Sequence, residues 1–141
     1  PAPAAATLAA RRDPPAVRAR RQASAPSHEA ASESTDAAAL SRARELADRG
    51  DLDEALRVCQ ALAKRCRLDP AVHLLVSAIQ QERGDLAQAL AALRRALYID
   101  PDCVEAHTAL GQILARRGES GRARRHFETA ARLEARREDV P

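Results

Sequence analysis

The amino-acid sequence predicts an all-α protein, a solenoid of three helix–turn–helix repeats behind a disordered N-terminal linker rich in alanine and proline. Glycine recurs every 34 residues, and alanine recurs at the same interval five residues later. A period of 34 residues is typical of a two-helix repeat. Aromatic residues, which favour strands, make up only 1% of the chain. The residues with this spacing are Gly50, Gly84 and Gly118, followed by Ala55, Ala89 and Ala123.

Residues 1–35 differ in composition from the rest of the chain. Proline is frequent there and interrupts helices, and few large apolar residues are available for a core. We therefore predict a flexible linker over 1–35, with a small positive charge from scattered arginines. The functional alternative is a basic tether that contacts an acidic partner.

Helical periodicity begins near Thr35 and continues almost to the end of the chain. It predicts six helices with short connections, so that neighbouring helices pack antiparallel. The predicted helices cover about 36–49, 53–66, 70–83, 87–99, 103–117 and 121–137. They group into repeats at about 36–69, 70–103 and 104–137, which leaves a tail at 138–141.

The turn inside each repeat has a chemistry that suits two helices meeting closely. The glycine suits the residue that follows a first helix, where φ is often positive. An acidic residue comes next, at the positive end of the second helix. The repeated alanine leaves room where the two helices cross. The acidic residues are Asp51, Asp85 and Glu119.

The connections between repeats carry their own signals. Pro70 suits the first residue of the third helix, and Asp69 is its predicted N-cap. Asp100 precedes Pro101, so we expect the fourth helix to end there. Asp102 is the predicted N-cap of the fifth helix.

The predicted core consists of the apolar residues that recur at helical spacing on the facing sides of these helices. They are Leu46, Leu52, Leu56, Cys59, Leu62, Val76, Ile79, Leu86, Leu90, Leu93, Leu97, Leu110, Leu114 and Phe127.

Charge and composition disfavour several classes of function. The net charge is +3, and arginine pairs such as Arg94–Arg95 alternate with acids, which favours a solvated face. Nucleic-acid binding is not expected, because aromatic residues for base stacking are nearly absent. No apolar run reaches the length of a membrane span, so membrane insertion is not expected either. The chain begins with Pro1 and lacks methionine, which indicates a fragment of a longer protein.

No arrangement of catalytic, cofactor-binding or metal-binding residues is evident. Cys59 and Cys66 lie about 10 Å apart along one predicted helix, too far for a disulfide, and a reducing, cytoplasmic setting fits best. Cys59, Cys66 and His73 lack the ligand spacing of zinc sites. His73 and His107 share one repeat position. The functional reading is that they form a metal pair or act as a general base. The structural reading, which we prefer, is that each packs inside its helix pair with one ring nitrogen hydrogen-bonded.

The repeat positions resemble those of the tetratricopeptide repeat (TPR) family over about 36–137. A small residue stands at position 8 of each unit, a bulkier one at position 24, and Pro101 at position 32 of the middle unit. The large aromatic usual at position 4 is missing. These positions hold Ala43, Ser77 and Gly111; Cys59, Leu93 and Phe127; and, at position 4, Ala39, His73 and His107.

Three strings also resemble the TPR segment of bacterial chemotaxis receptor methyltransferases of the CheR type: ARELADRGDLDEALRVCQAL at 43–62, ALRRALYIDPDCVEAH at 92–107 and GRARRHFETAARL at 121–133. The resemblance implies an S-adenosylmethionine-dependent protein-glutamate methyltransferase domain before Pro1, outside this chain, with 1–35 as its linker. The chain itself would then be no enzyme and hold no cofactor. Its repeats would steer receptor methylation by binding a chemoreceptor cytoplasmic segment or the methyltransferase domain. The alternative is a generic bacterial TPR scaffold in secretion or complex assembly.

The family's first helices imply a concave groove for a peptide or helix of a partner protein. A mixture of apolar and arginine side chains there would suit a segment with acidic and aliphatic residues. At the C-terminal end we expect Leu110 and Leu114 to be partly uncovered, which would favour self-association. The candidate groove residues are Leu40, Arg44, Ala47, Leu74, Ala78, Gln81, Thr108, Gln112 and Arg116.

Overall fold

The computed structural model describes residues 33–139, which form six α-helices and, over this range, no strand. This confirms the all-α fold class, and each helix end within the range lies within three residues of its predicted position. The helices are α1 (33–48), α2 (Leu52–Arg65), α3 (Pro70–Arg83), α4 (Leu86–Ile99), α5 (Val104–Arg116) and α6 (Ser120–Asp139).

The predicted linker falls largely outside the described residues. Residues 33–35, which belong to the linker predicted from composition, are helical. The helices from Ala39 onward belong to one compact unit. Within it, α3 packs extensively on α4 and α5 on α6, while the contacts between successive pairs are smaller. The helix pair is therefore the structural repeat.

The three repeated glycines each end the first helix of a pair with the same backbone geometry. Gly50, Gly84 and Gly118 have φ values of 88°, 82° and 80°, in the left-handed region. Each glycine N–H donates to the carbonyl three residues earlier, and the next N–H donates to the carbonyl five residues earlier, with N···O distances of 2.9–3.1 Å. Two such bonds form a Schellman motif. The predicted positive φ is confirmed, and the sequence repeat is also a repeat of hydrogen bonding.

The ends of the other helices agree with the sequence in all but one place. The Asp69 carboxylate accepts from the Ala71 N–H at 2.9 Å, and Pro70 is the first residue of α3. Asp100 ends α4 as predicted. Asp102 as the N-cap of α5 is wrong. The N-cap is Cys103, because the Asp102 N–H donates to the Asp100 side chain at 3.1 Å and so belongs to the preceding turn.

Two apolar clusters stabilise the helix array within and between pairs, one built by α1, α2 and α3 and one mainly by α4 and α5. Most of the predicted core belongs to them. Four predicted core residues, Leu52, Val76, Leu86 and Leu97, are only partly buried and pack against the cluster surfaces. The predicted core residues that are buried are Leu46, Leu56, Cys59, Leu62, Ile79, Leu90, Leu93, Leu110 and Leu114.

Phe127 was predicted to be a core residue, and this is wrong, since 39% of it is exposed. Its ring lies against Gly111 on α5. A Cβ added at Gly111 would stand 2.6 Å from the Phe127 Cε1 atom. Position 8 of this repeat therefore holds glycine because the bulkiest residue of position 24 occupies the space that a side chain would need.

The C-terminal end of the array is better covered than the sequence predicts. Leu110 and Leu114 are 5% and 3% exposed, so the expectation that they are partly uncovered is wrong. The reason is α6, which packs extensively along α5. Leu133 of α6 forms a further small cluster with Val104 of α5.

Alanine substitution should have opposite effects at two glycines that both have free space beside them. No atom lies within 4 Å of a Cβ built at Gly84 or Gly121, so only the backbone decides. Gly84→Ala forces an L-residue into the left-handed region and should lower the free energy of unfolding by about 1–2 kcal/mol. Gly121→Ala, inside α6, should raise it by up to about 1 kcal/mol. Urea denaturation followed by circular dichroism measures both. A stabilised Gly84→Ala variant would contradict the turn geometry.

Candidate functional site

The nine candidate groove residues lie on the first helix of each pair, three on α1, three on α3 and three on α5. None of the nine is buried. Within each helix they are spaced by three or four residues, so they share one face. Arg44, Ala78, Gln112 and Arg116 are the most exposed members. The structure thus leaves these side chains accessible to a partner, and their joint action as one groove stays a prediction.

The chemistry of this face is apolar and weakly cationic. Leu40 and Ala47 rest on the first core cluster, and Leu74 rests on the second. The Thr108 hydroxyl donates to the Val104 carbonyl at 3.0 Å, so its methyl group is left for contact. Arg116 forms no ion pair with any residue in 33–139. A partner with apolar and acidic side chains would complement such a face.

His107 does not pair with His73 but with His126 of α6, a partner that the repeat pattern does not indicate. The two Nδ1 atoms lie 3.2 Å apart, and the rings stack with centroids 5.4 Å apart. The His107 Nε2–H donates to the Pro101 carbonyl at 2.8 Å. In neutral His107, Nδ1 is therefore bare and accepts from the His126 Nδ1–H. This agrees with the structural reading of His107 as a packed side chain, except that both ring nitrogens, and not one, have hydrogen-bond partners.

Protonation of His126 is disfavoured in the folded protein. Burial, the neighbouring His107 and the Arg122 guanidinium all lower the pKa of His126 below its ordinary value of 6.5. His73 is half-buried elsewhere, on α3, where burial and Arg95 lower its pKa as well, against a smaller opposing effect of Asp69. Both histidines favour the neutral form in the fold.

Acidification should therefore destabilise the helix array. A lowered folded-state pKa gives stability that is fully present above 6.5 and is lost as pH falls below that value. We expect the melting temperature of the wild type to fall between pH 7.5 and 5.5. The melting temperature of the His126→Gln variant should fall less over this range, and that of a His73→Gln/His126→Gln variant should fall least. Thermal melts by circular dichroism at several pH values measure this. An equal or steeper fall in the double variant would contradict the assignment.

The three cysteines, Cys59, Cys66 and Cys103, all lie within the described residues and form neither a disulfide nor a metal site there. Cys59 is fully buried in the first core cluster, and burial raises its pKa to about 11, so it packs as a small apolar residue. The Cys103 thiol donates to the Glu105 carboxylate at 3.5 Å. Within residues 33–139, no three His, Cys, Asp or Glu side chains group as metal ligands would.

Many of the arginines stand at the surface beside acids of their own or a neighbouring helix. Arg57 pairs with Glu54 at 2.7 Å, and Arg122 pairs with Glu119 at 2.9 Å. Arg137 reaches Glu105 of α5 at 3.7 Å. Such pairs are typical of a solvated face. Among the helices that the structure describes, none is long and apolar enough to cross a bilayer.

The comparison with protein families decides the identity of the repeat. Residues 81–118 match the family described as "TPR repeat", and residues 37–61 match the family described as "Tetratricopeptide repeat". The chain contains tetratricopeptide repeats. The resemblance in the residues, the repeated glycine turns and the family matches agree. TPR arrays generally mediate protein–protein interactions, which is the general function that the fold indicates.

A curated relative supports the second resemblance. Over 106 residues, 75% of this TPR chain, the sequence is 35% identical to the "Probable biofilm formation methyltransferase WspC" of Pseudomonas putida. The match spans 24% of that protein, so the chain corresponds to about a quarter of its relative. The chain is thus similar to a segment of a protein named as a methyltransferase.

Two solved structures show the same fold. MamA superposes with a TM-score of 0.70 at 14% identity, over 74% of this chain and 61% of that one. The Yersinia enterocolitica type III secretion translocator chaperone SycD superposes with a TM-score of 0.69 at 22% identity, over 77% of this chain and 80% of that one. At these identities the likeness establishes the TPR fold alone.

Proposed function

We propose that this TPR array is the regulatory region of a chemotaxis receptor methyltransferase and steers methylation of the receptor by binding a partner protein. The observation that carries the proposal is the 35% identity to a named methyltransferase over 106 residues. In this proposal the catalytic chemistry resides in a separate S-adenosylmethionine-dependent domain, and the TPR array supplies recognition. Such a role places the protein in the cytoplasm, where the partner segments are.

The binding surface in this proposal is the face formed by the first helices α1, α3 and α5. Three features support it: eight of the nine candidate residues recur at equivalent repeat positions, with Arg116 one residue further along, all nine are at least partly accessible, and several rest on the apolar core. A rigid surface of this kind loses little conformational entropy on binding. A helix of the receptor's cytoplasmic part would place aliphatic residues on Leu40 and Leu74 and acidic residues near Arg44 and Arg116.

The test measures binding of labelled receptor cytoplasmic fragments to the full chain and to a groove variant, Gln81→Glu/Gln112→Glu/Arg116→Glu. The variant makes the face strongly anionic, so we expect at least a tenfold loss of affinity. A matched control changes three exposed residues of the second helices by the same total charge: Gln60→Glu/Gln88→Glu/Arg125→Glu. This control should bind as the wild type does, and circular dichroism should show all three proteins folded.

Two results would contradict the proposal. Equal losses in the groove variant and its control would mean that net charge alone matters and that the groove is not the binding surface. An absence of binding to the receptor fragment and to the methyltransferase domain would favour the alternative, a generic bacterial TPR scaffold in secretion or complex assembly.

We also propose self-association through the C-terminal end, but through a different surface from the one predicted around Leu110 and Leu114. Because Leu110 and Leu114 are covered, the accessible apolar group there is Phe127, which lines a shallow concavity with Ala115 and Ala131. Sedimentation equilibrium measures the average mass of each protein, and we expect the wild type to associate more strongly than the Phe127→Ser variant. A wild type that stays monomeric over the whole concentration range would contradict this proposal.

A further inference from the structure

Two of the most exposed large apolar side chains lie on one concavity, which His73 of α3 also lines. Leu68, in the turn between α2 and α3, is 83% exposed, and Tyr98, near the end of α4, is 89% exposed. Together with Ile99 they line a depression of about 380 Å³. None of the nine candidate groove residues takes part in it. We call this depression the Leu68–Tyr98 surface.

Three arginines, Arg67, Arg94 and Arg95, surround the Leu68–Tyr98 surface. Among residues 33–139 none of the three forms an ion pair, although other exposed arginines, such as Arg57 and Arg122, do. The carboxylate of nearby Asp69 is already held by the Ala71 N–H at 2.9 Å. The surface therefore carries more positive than negative charge, because three arginines without ion pairs stand against the nearby carboxylate of Asp69, whose hydrogen bond to Ala71 leaves its charge in place.

We propose that the Leu68–Tyr98 surface is a second docking site, which takes an acidic peptide segment with a large apolar side chain. The apolar side chain would enter the depression between Leu68 and Tyr98. The flanking carboxylates of the segment would pair with Arg94 and Arg95. This proposal goes beyond the first-helix groove and does not depend on it.

The composition of the surface favours a protein segment over other anionic partners. Tyrosine and arginine are enriched among the residues that dominate binding at protein interfaces. Nucleic acid would need several stacking aromatics, whereas this surface offers only the Tyr98 ring and the half-buried imidazole of His73. A single exposed leucine is ordinary, but here it shares a depression with a tyrosine and three arginines without ion-pair partners.

The probe is a fluorescein-labelled peptide, Gly-Glu-Asp-Glu-Phe-Leu-Asp-Glu-Asp-Gly, titrated into the full chain at about 150 mM salt, where surface charges are screened. One control peptide carries serine in place of every acidic residue, and the other carries serine in place of Phe-Leu. We expect the probe to bind at least about tenfold more tightly than either control. In ¹⁵N spectra the largest amide shifts should fall at Leu68 and Tyr98.

Surface variants separate this site from the groove. Arg94→Gln/Arg95→Gln and Leu68→Ser/Tyr98→Ser should each weaken the probe at least about fivefold, since each removes two partner groups. The matched control Arg124→Gln/Arg125→Gln removes an equal charge from exposed positions of α6 and should leave binding unchanged.

Several outcomes would overturn the proposal: no binding of the probe, equal affinity for the control peptides, equal losses in the α6 control, or amide shifts centred on Gln81 and Gln112. Tighter binding to anionic vesicles or to single-stranded oligonucleotide than to the peptide would also overturn it. The groove variant Gln81→Glu/Gln112→Glu/Arg116→Glu should retain most of its affinity for the probe. Binding of the probe peptide can therefore be observed even if the receptor fragment does not bind to the groove.

Discussion

Leu93→Ala is expected to lower the free energy of unfolding by about 2–5 kcal/mol, the usual range for deleting a fully enclosed leucine side chain. Leu93 is 0% exposed in α4, at the centre of the second core cluster. Because a repeat is stabilised by its neighbours, a cavity in the middle repeat weakens the packing on both sides. Urea denaturation followed by circular dichroism at 222 nm measures the loss.

Leu68→Ala is the matched control for Leu93→Ala, since it removes the same atoms from a side chain that is 83% exposed. It should change stability by no more than about 0.5 kcal/mol. Similar effects of the two substitutions would mean that α4 does not face the core as the structure shows.

Ala89→Leu is expected to cost about 1–3 kcal/mol, because it forces additional carbon atoms into a filled contact. Ala89 is 0% exposed and belongs to the same cluster as Leu90 and Leu93. It is the middle member of the alanines that recur every 34 residues. The measurement is again the free energy of unfolding in urea.

Arg94→Leu serves as the control for Ala89→Leu, because it places a leucine on the exposed side of the same helix. We expect it to be nearly neutral for stability. If Ala89→Leu were as mild as Arg94→Leu, the crossing point of α3 and α4 would lie elsewhere and the repeat register would be wrong.

The sequence was sufficient to predict the turns inside the repeats because they depend on local backbone chemistry. A left-handed residue is needed once per helix pair, and glycine adopts that conformation without strain. The period of Gly50, Gly84 and Gly118 therefore reveals the repeat directly, and their φ values confirm it. Apolar spacing likewise identified buried residues such as Leu62 and Ile79.

Features that depend on which side chains meet across helices could not be predicted in the same way. His126 occupies a position held by Ala92 in the middle repeat, so nothing in the repeat pattern indicates its contact with His107. Phe127 fits an apolar position, but its exposure depends on how its ring lies against Gly111. These contacts arise from tertiary packing.

The two candidate surfaces also differ in whether the sequence alone could predict them. The groove residues follow from repeat positions on the first helices, and the sequence therefore sufficed to propose them. The Leu68–Tyr98 surface joins a turn after α2 to the end of α4, about 30 residues later in the chain. Only the packing of α3 against α4 brings these segments to one depression. Neither residue has the spacing of a motif, so sequence periodicity gives no signal for it.

The most direct test of the central proposal is photo-crosslinking from the first-helix face to its partner. A benzoylphenylalanine placed at the exposed Ala78 of α3 should crosslink to the receptor cytoplasmic fragment, and one placed at exposed Gln60 of α2 should not. Mass spectrometry would identify the crosslinked segment of the partner. The proposal predicts a helix with acidic and aliphatic residues joined to the Ala78 probe. Crosslinks from Gln60 in place of Ala78 would contradict it.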